Sequence, residues 1–399
     1  MLNQNQAGVM KTINVIGNFS GRNAGDAAIL GGVLEDVSRI YPDALFTIPT
    51  INPGFVQRQF AEYRVQTVSM LPWNGSMKIL GVPVLRAALS ADVILVTDAI
   101  LFDRKLYNPL FNYLWTLSRF LPRAFRKGVP VVLYNCSLGP IRTQAGHAAL
   151  QAILDNTSAL ILRDRESVEL LDRQGFHHPR VIEGADCALN ARPVDEARLN
   201  EICREADLFS SGRPVIGFNV NSYVDAFVRQ GGTFGRENLV ELYAATVDKV
   251  ITELDVDVLF VETQHMDMGI ASAVLGKIHQ RERVRLISNK VYSYREICAV
   301  LQKLQLFAGM RTHSLILSSA MGVPPVGIVT YPKNRGYMRT IGMEAHLVDF
   351  KELAVESFYA RISAAWHERE RIREAMLPQV AREKEKARRS AEVLREYLG

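Results

Sequence analysis

The chain has few cysteines, no long apolar run and no strong charge of either sign, and each shortage removes a class of protein. Its four cysteines, Cys136, Cys187, Cys203 and Cys298, are scattered without C-x-x-C or zinc-type spacing. A disulfide scaffold and a zinc module are therefore not expected, and reduced thiols of a cytoplasmic protein are. No run reaches the roughly 18 apolar residues that a membrane-spanning helix needs. The first residues, MLNQNQAGVMK, lack the basic and apolar regions of a signal peptide. The expected location is cytoplasmic, with a peripheral contact at the inner face of the membrane as the alternative. A net charge of +5 suits an anionic substrate or an anionic membrane surface but is too small to argue for nucleic acid, and no nucleic-acid motif is present. A G-x-S-x-G elbow and a G-x-G-x-x-G fingerprint are also missing, which removes the common serine hydrolase and dinucleotide signatures.

What is there is an ordinary globular composition, 48% hydrophobic and 22% charged over 399 residues, long enough for two cores. Short β-branched or apolar runs alternate with helical periodicity. Ile13–Ile16 reads as a strand and leads through Gly17, Gly21 and Gly25 to a helix over Ala27–Val37, with Asp26 as a candidate cap. Leu45–Ile48, Asp92–Val96, Val129–Tyr134 and Ala159–Leu162 read as further strands. Helices are expected over 77–89, 110–127 and 144–156, and after Arg163, ending at Gly175. This rhythm implies parallel sheets with helices on both faces. Residues 191–213 are polar and carry no strand pattern, so a boundary is expected there, and the alternation restarts at Val215. The expected organisation is an α/β domain over 1–192, a second over 213–350 and a helical tail over 351–399 that packs back on the body. The tail pattern runs from Glu356 to Gly399 with an interruption at Pro378 and an apolar stripe at Ala387, Ala391, Leu394 and Leu398. Its mixed charges mark a solvated helix, and attraction to a membrane surface is the lesser reading.

The most informative stretch is FAGMRTHSLILSSAMGVPPVGIVTYPK, residues 307–333. It reads as strand, turn and helix, with Gly322 and Pro324 as the stop and a strand over Pro325–Val329. That grammar puts Arg311 and His313 at a helix N-terminus beside the carboxyl end of a strand, where open α/β sheets bind ligands and a helix dipole favours an anion. The plainer alternative is that His313 only caps its helix. Other strand ends carry Asn23 and Asp26, Asp98 and Asp103, Arg163, and His265 with Asp267. In a two-domain α/β protein such loops can face one cleft, and two arginines with a histidine suit a phosphate or carboxylate. His265 and Asp267 are two metal-capable groups without a third, so no metal is expected. Cys136 has no neighbouring histidine in the sequence, so a thiol nucleophile is not expected either.

Several of these short elements occur together in an order that resembles the polysaccharide pyruvyltransferases, over about residues 13–345. The resemblance rests on Ile16-Gly17-Asn18 and Asn23-Ala-Gly25-Asp26, on Ser137-Leu-Gly139-Pro140, on Arg163-Asp164-Arg165-Glu166-Ser167 and on Asp186-Cys-Ala188. It continues through Arg311-Thr-His313, Gly322-Val-Pro324 and Tyr331-Pro-Lys333. It implies two Rossmann-like domains in a glycosyltransferase-B-like architecture, the first on the acceptor side and the second on the donor side. It also implies transfer of pyruvyl from phosphoenolpyruvate to a glycan or lipid-linked sugar as a ketal, with no cofactor beyond that donor. His313 matches the family's catalytic acid, and Arg163 and Arg311 match positions that hold the donor's phosphate and carboxylate. Asn23, Asp26, Asp98, His265 and Lys333 complete the candidate substrate-binding set. In one place the chain departs from the pattern: Thr97-Asp98-Ala99 stands where a glycine-rich turn is usual, which bears on the acceptor or the reaction. The rival expectations are a glycosyltransferase of the same architecture using a nucleotide sugar, and a binding homologue without catalysis.

Overall fold

A computed structural model describes residues 10–70, 82–97, 101–107, 113–222, 234–330 and 332–399. It contains two parallel sheets. The first has the strand order β3-β2-β1-β4-β5-β6-β7, formed by Thr12–Ile16 (β1), Leu45–Thr50 (β2), Val65–Ser69 (β3), Val93–Val96 (β4), Val131–Cys136 (β5), Ala159–Leu162 (β6) and Val181–Glu183 (β7). The second has the order β10-β9-β8-β11-β12-β13, formed by Val215–Asn219 (β8), Asp257–Glu262 (β9), Val284–Ser288 (β10), Leu306–Gly309 (β11), Pro325–Val329 (β12) and Leu347–Asp349 (β13). Every pairing between these strands is parallel, with Ile13 opposite Val93 in one sheet and Leu306 opposite Ile216 in the other. Each chain path winds outward on one side of a central strand and then returns to its other side. The strand order therefore reverses between β1 and β4 and again between β8 and β11, the position where such sheets open a crevice at their carboxyl ends.

By contacts the chain forms two compact units, one of residues 1–20, 32–186 and 386–399 and one of residues 21–31 and 187–385. The inner strands are buried and mostly apolar, wholly so for VILV in β4 and ALIL in β6, as parallel strands covered on both faces tend to be. In the second unit Phe218, Phe260, Tyr243 and Phe358 form an aromatic cluster with ring centroids 5.6–6.2 Å apart. It joins the sheet to the helices Arg236–Leu254 and Val355–His367.

Three local expectations change. The first helix begins at Ala24, three residues earlier than its periodicity suggests, and Asn23 rather than Asp26 accepts the N–H of Gly25, at 2.8 Å. Residues 191–213 contain a helix, Glu196–Glu205, opened by the side chain of Asp195. The tail breaks at Glu368, not at Pro378, which lies inside the helix Arg369–Arg389. Pro378 is on the exposed side of that helix, where the carbonyl it leaves without a donor stays open to solvent. The predicted apolar stripe is the buried one: Ala387, Ala391, Leu394 and Leu398 are all at most 3% exposed. Beyond it Ser390 Oγ donates to Asn135 Oδ1 at 2.9 Å and Tyr397 OH to the Ser158 carbonyl at 3.2 Å, which ties the end of the tail to the first sheet.

Candidate functional site

The carboxyl ends of β8, β9 and β11 carry a buried polar network. Asn219, the last residue of β8, donates through Nδ2 to Glu262 Oε2 at 2.9 Å, and its Oδ1 accepts the backbone N–H of Arg311 at 3.2 Å. Glu262, the last residue of β9, also accepts the N–H of Val220. Arg311 follows β11 and opens the helix Thr312–Ala320. Its Nε and Nη2 each lie 2.7 Å from a different oxygen of Asp267, a bidentate pair with a fully buried carboxylate. Asp267 in turn accepts both the N–H and the hydroxyl of Ser222. Burial, with the Asp267 charge adding to it, holds the Glu262 carboxyl well above the usual carboxylate range. Arg311 therefore offers a rigidly held guanidinium whose charge is largely balanced within the unit.

The same unit takes in residues 21–31, the loop after β1 and the start of the first helix. Asn23 bridges to Gln264 in antiparallel fashion, the N–H of Ala24 reaches the Thr263 carbonyl at 2.8 Å, and the N–H of His265 reaches the Arg22 carbonyl at 3.0 Å. Thr263 Oγ1 lies 3.0 Å from Ser314 Oγ in the following helix. These bonds clamp the helix N-terminus beginning at Ala24 beside the one beginning at Thr312. They meet at Gly25, where an added Cβ would lie 2.3 Å from Cγ and 2.4 Å from Nδ1 of His313. Only hydrogen fits between backbone and imidazole at that point.

The candidates predicted from sequence distribute as follows. Asn23, Asp26, His265, Arg311, His313 and Lys333 all belong to the second unit. The His265 ring faces the Asn289 carbonyl at 3.3 Å. Lys333, nearly buried, stands in the first turn of the helix Pro332–Thr340. Next to it Asn334 is fully buried: Nδ2 donates to the carbonyls of Met310 and Ile328, both at 2.9 Å, and Oδ1 accepts the Thr312 hydroxyl. The Lys333 turn is thus tied to the turn that carries His313. Arg163 belongs to the first unit, 7% exposed and 2.5 Å from Asp186. Beside it Asp164 accepts the N–H of Ser167 at 2.8 Å and so caps its helix, while Ser167 Oγ accepts the N–H of Leu138 at 2.7 Å. The R-D-x-x-S element thereby fastens the Ser137-Leu138 turn. Asp98 lies outside the described residues.

Sequence reasoning missed Asn219, Glu262 and Asn334. Their signal was a polar residue ending or just following an apolar strand, in FNV, VET and YPKN, too common a pattern to single out alone. Among the described residues no group of three or more His, Cys, Asp and Glu could hold a metal ion. Cys136 is buried, and its Sγ contacts the Val96 carbonyl at 2.7 Å.

Two doubly wound parallel sheets of this kind define an α/β fold of the GT-B type. The likeness extends to the UDP-GlcNAc 2-epimerase of Neisseria meningitidis, with TM-score 0.61 and 11% identity over 98% of this chain and 99% of that one. It extends equally to Anabaena Alr3699/HepE in complex with UDP and glucose, with TM-score 0.61 and 13% identity over 97% and 99% of the two chains. At these identities the likeness is one of fold alone. Residues 23–331 match the model of the polysaccharide pyruvyl transferase family, and the chain belongs to that family. Its curated relatives include the amylovoran biosynthesis protein AmsJ of Erwinia amylovora, 24% identical over 416 residues, 94% of this chain and 96% of that protein.

Proposed function

We propose that the protein transfers the pyruvyl unit of phosphoenolpyruvate onto two hydroxyls of a glycan or lipid-linked sugar, forming a ketal in polysaccharide biosynthesis. The observation that supports this most is the packing of Gly25 against His313, inside the family-matched segment and beside the β8/β11 reversal. The N–H groups of Ala24 and Gly25 are already bonded, so what these helix starts offer an anion is chiefly the helix dipole. Two such ends, with Lys333 tied beside them, suit a ligand carrying a phosphate and a carboxylate.

In this mechanism His313 delivers a proton to C3 of phosphoenolpyruvate, making C2 electrophilic. A sugar hydroxyl adds to C2 and loses its proton. The bond from C2 to the phosphate oxygen then breaks, and the second hydroxyl closes the ketal. Of the two hydroxyl protons, one is accounted for by the new methyl group and one leaves as hydrogen phosphate, so the sum balances. General acid help of this kind is worth about 10²–10⁴ in rate. Asp267, Asn219 and Glu262 act by holding Arg311 and the helix that carries His313.

The test is phosphate release from phosphoenolpyruvate by the purified chain with candidate acceptors, alongside thermal shifts with phosphoenolpyruvate and with nucleotide sugars. A ligand that binds only the native state raises apparent stability. Acceptor-dependent phosphate release and stabilisation by phosphoenolpyruvate are expected. Stabilisation by nucleotide sugars alone would move the protein to the glycosyltransferases.

A further inference from the structure

The mild net charge conceals a strong local imbalance. From Arg104 to Leu154 the sequence holds seven Lys or Arg and no Asp or Glu. This stretch includes two helices of the first unit, Leu114–Phe125 and Gln144–Leu154, which pack on each other, and the first also packs on the helix Val82–Leu89. None of the three helices contains an acidic residue. The nearest carboxylate upstream in the described chain, Asp103, is buried and accepts the N–H groups of Arg142 and Thr143.

The helix Leu114–Phe125 divides cleanly. Leu114, Leu117, Phe120, Leu121 and Ala124 are buried in the core with Val84 and Ala88. Arg119 and Arg123 point outward, as do Arg126 and Lys127 just beyond, with Arg86 on the neighbouring helix. Among the described residues none of these five forms an ion pair with a carboxylate. Apolar and aromatic groups are exposed among them: Tyr107 at 68%, Val82 at 40% and Phe125 at 36%. The Tyr107 ring packs edge-on to Trp115 at 5.9 Å, and the Arg119 guanidinium lies 5.9 Å from the same indole.

We infer that this face, formed by the helices Val82–Leu89 and Leu114–Phe125 with Tyr107 and Lys127, docks on an anionic lipid bilayer. Unpaired basic groups complement anionic headgroups, while Trp, Tyr and Phe among them suit the headgroup–acyl boundary. A soluble polyanion would call for the charges but not for the exposed Val82 and Phe125. The tail, the other basic segment, is a poorer candidate because its charges are met internally: Lys386 pairs with Glu183, Arg371 with Glu368 and Glu396 with Arg180. This inference stands apart from the proposed reaction, since it needs neither His313 nor the donor.

The experiment is co-sedimentation of the full chain with vesicles of phosphatidylcholine alone or with one-third phosphatidylglycerol. Binding should require the anionic lipid and fade with salt. Each basic side chain near such a surface is worth about fivefold in partitioning, so R119E/R123E/R126E should lose about 100-fold or more. The tail variant R373E/R382E should bind like the wild type. Should the triple variant fail to fold, R126Q/K127Q at the helix end should still lose about tenfold or more. The inference is overturned if the wild type ignores phosphatidylglycerol, if the Arg119 or Arg126 variants bind normally, or if the tail variant is the one that loses binding. Binding to a soluble polyanion such as heparin with no binding to vesicles would overturn it as well.

Discussion

The backbone of Gly25 lies so close to the imidazole of His313 that a methyl group added there would fall 2.3 Å from Cγ. Two segments nearly three hundred residues apart meet at this point, and the contact limits sterically where the ring can lie. Gly25→Ala should therefore displace His313 as a whole, since the added methyl also falls 2.5 Å from its Cβ and rotation of the ring alone cannot relieve the clash. Turnover should fall about 10²-fold, the scale of a small misplacement at a reacting group. Steady-state kinetics beside a melting curve checks this, and unchanged turnover would show that the ring's position is immaterial.

Asp267 tests the network behind Arg311. Asp267→Ala leaves a nearly buried guanidinium without its bidentate partner, and loss of one member of a buried pair costs about 3–5 kcal/mol. Urea denaturation should show that loss. A cost below about 1 kcal/mol would mean the pair is solvated in solution.

Much of this architecture was legible in the sequence because parallel strands covered on both faces leave uninterrupted apolar runs. The strands Ala159–Leu162 and Pro325–Val329 and the stop at Gly175, with φ +70°, are the clearest cases. The edge strand Val65–Ser69 was not legible: it is only partly buried, so no apolar run marks it. Arg311 and His313 were visible at a helix start. Asp267 as the partner of Arg311, and Gly25 as the neighbour of His313, were not, because both depend on contacts between distant segments. The helix start at Ala24 was misjudged for the same reason, since Asn23 just before it is held by the bridge to Gln264.

Arg163 separates two roles. As a donor ligand, its loss would mainly weaken phosphoenolpyruvate binding. As the partner of Asp186, its loss leaves a buried carboxylate and costs about 3–5 kcal/mol. With both side chains nearly buried, Arg163→Ala should lower stability by that amount. Asp186→Asn in the same chain should recover part of it. If Arg163→Ala melts like the wild type but binds donor poorly, the ligand role is the right one.

Glu262 gives the protein a pH dependence of definite sign. Its folded-state pKa is raised by burial and by Asp267, so the folded state holds the proton more tightly than the unfolded one. Its contribution is fully present below the unfolded pKa and is lost as pH rises through the folded pKa. Above the usual carboxylate range stability should fall by up to about 1.4 kcal/mol per pH unit until Glu262 ionises in the folded state. Glu262→Gln should flatten that slope in urea titrations repeated across pH. An equal slope in both proteins would assign the effect to another group.

His313 remains the residue on which the proposed chemistry turns. His313→Gln keeps a hydrogen-bonding side chain at the helix start but cannot deliver a proton, so turnover should fall about 10²–10⁴-fold with little change in donor affinity. If His313→Gln keeps near-normal turnover, the histidine is a cap or an anion ligand and another group is the acid. The contact with Gly25 sharpens the test. In His313→Gly both the ring and its Cβ, 2.5 Å from the added methyl, are gone, so adding Gly25→Ala should cost almost nothing further, whereas it is costly in the wild type. A double-mutant cycle on turnover should therefore show strong non-additivity. Additive losses would mean that Gly25 acts through the helix rather than through the ring.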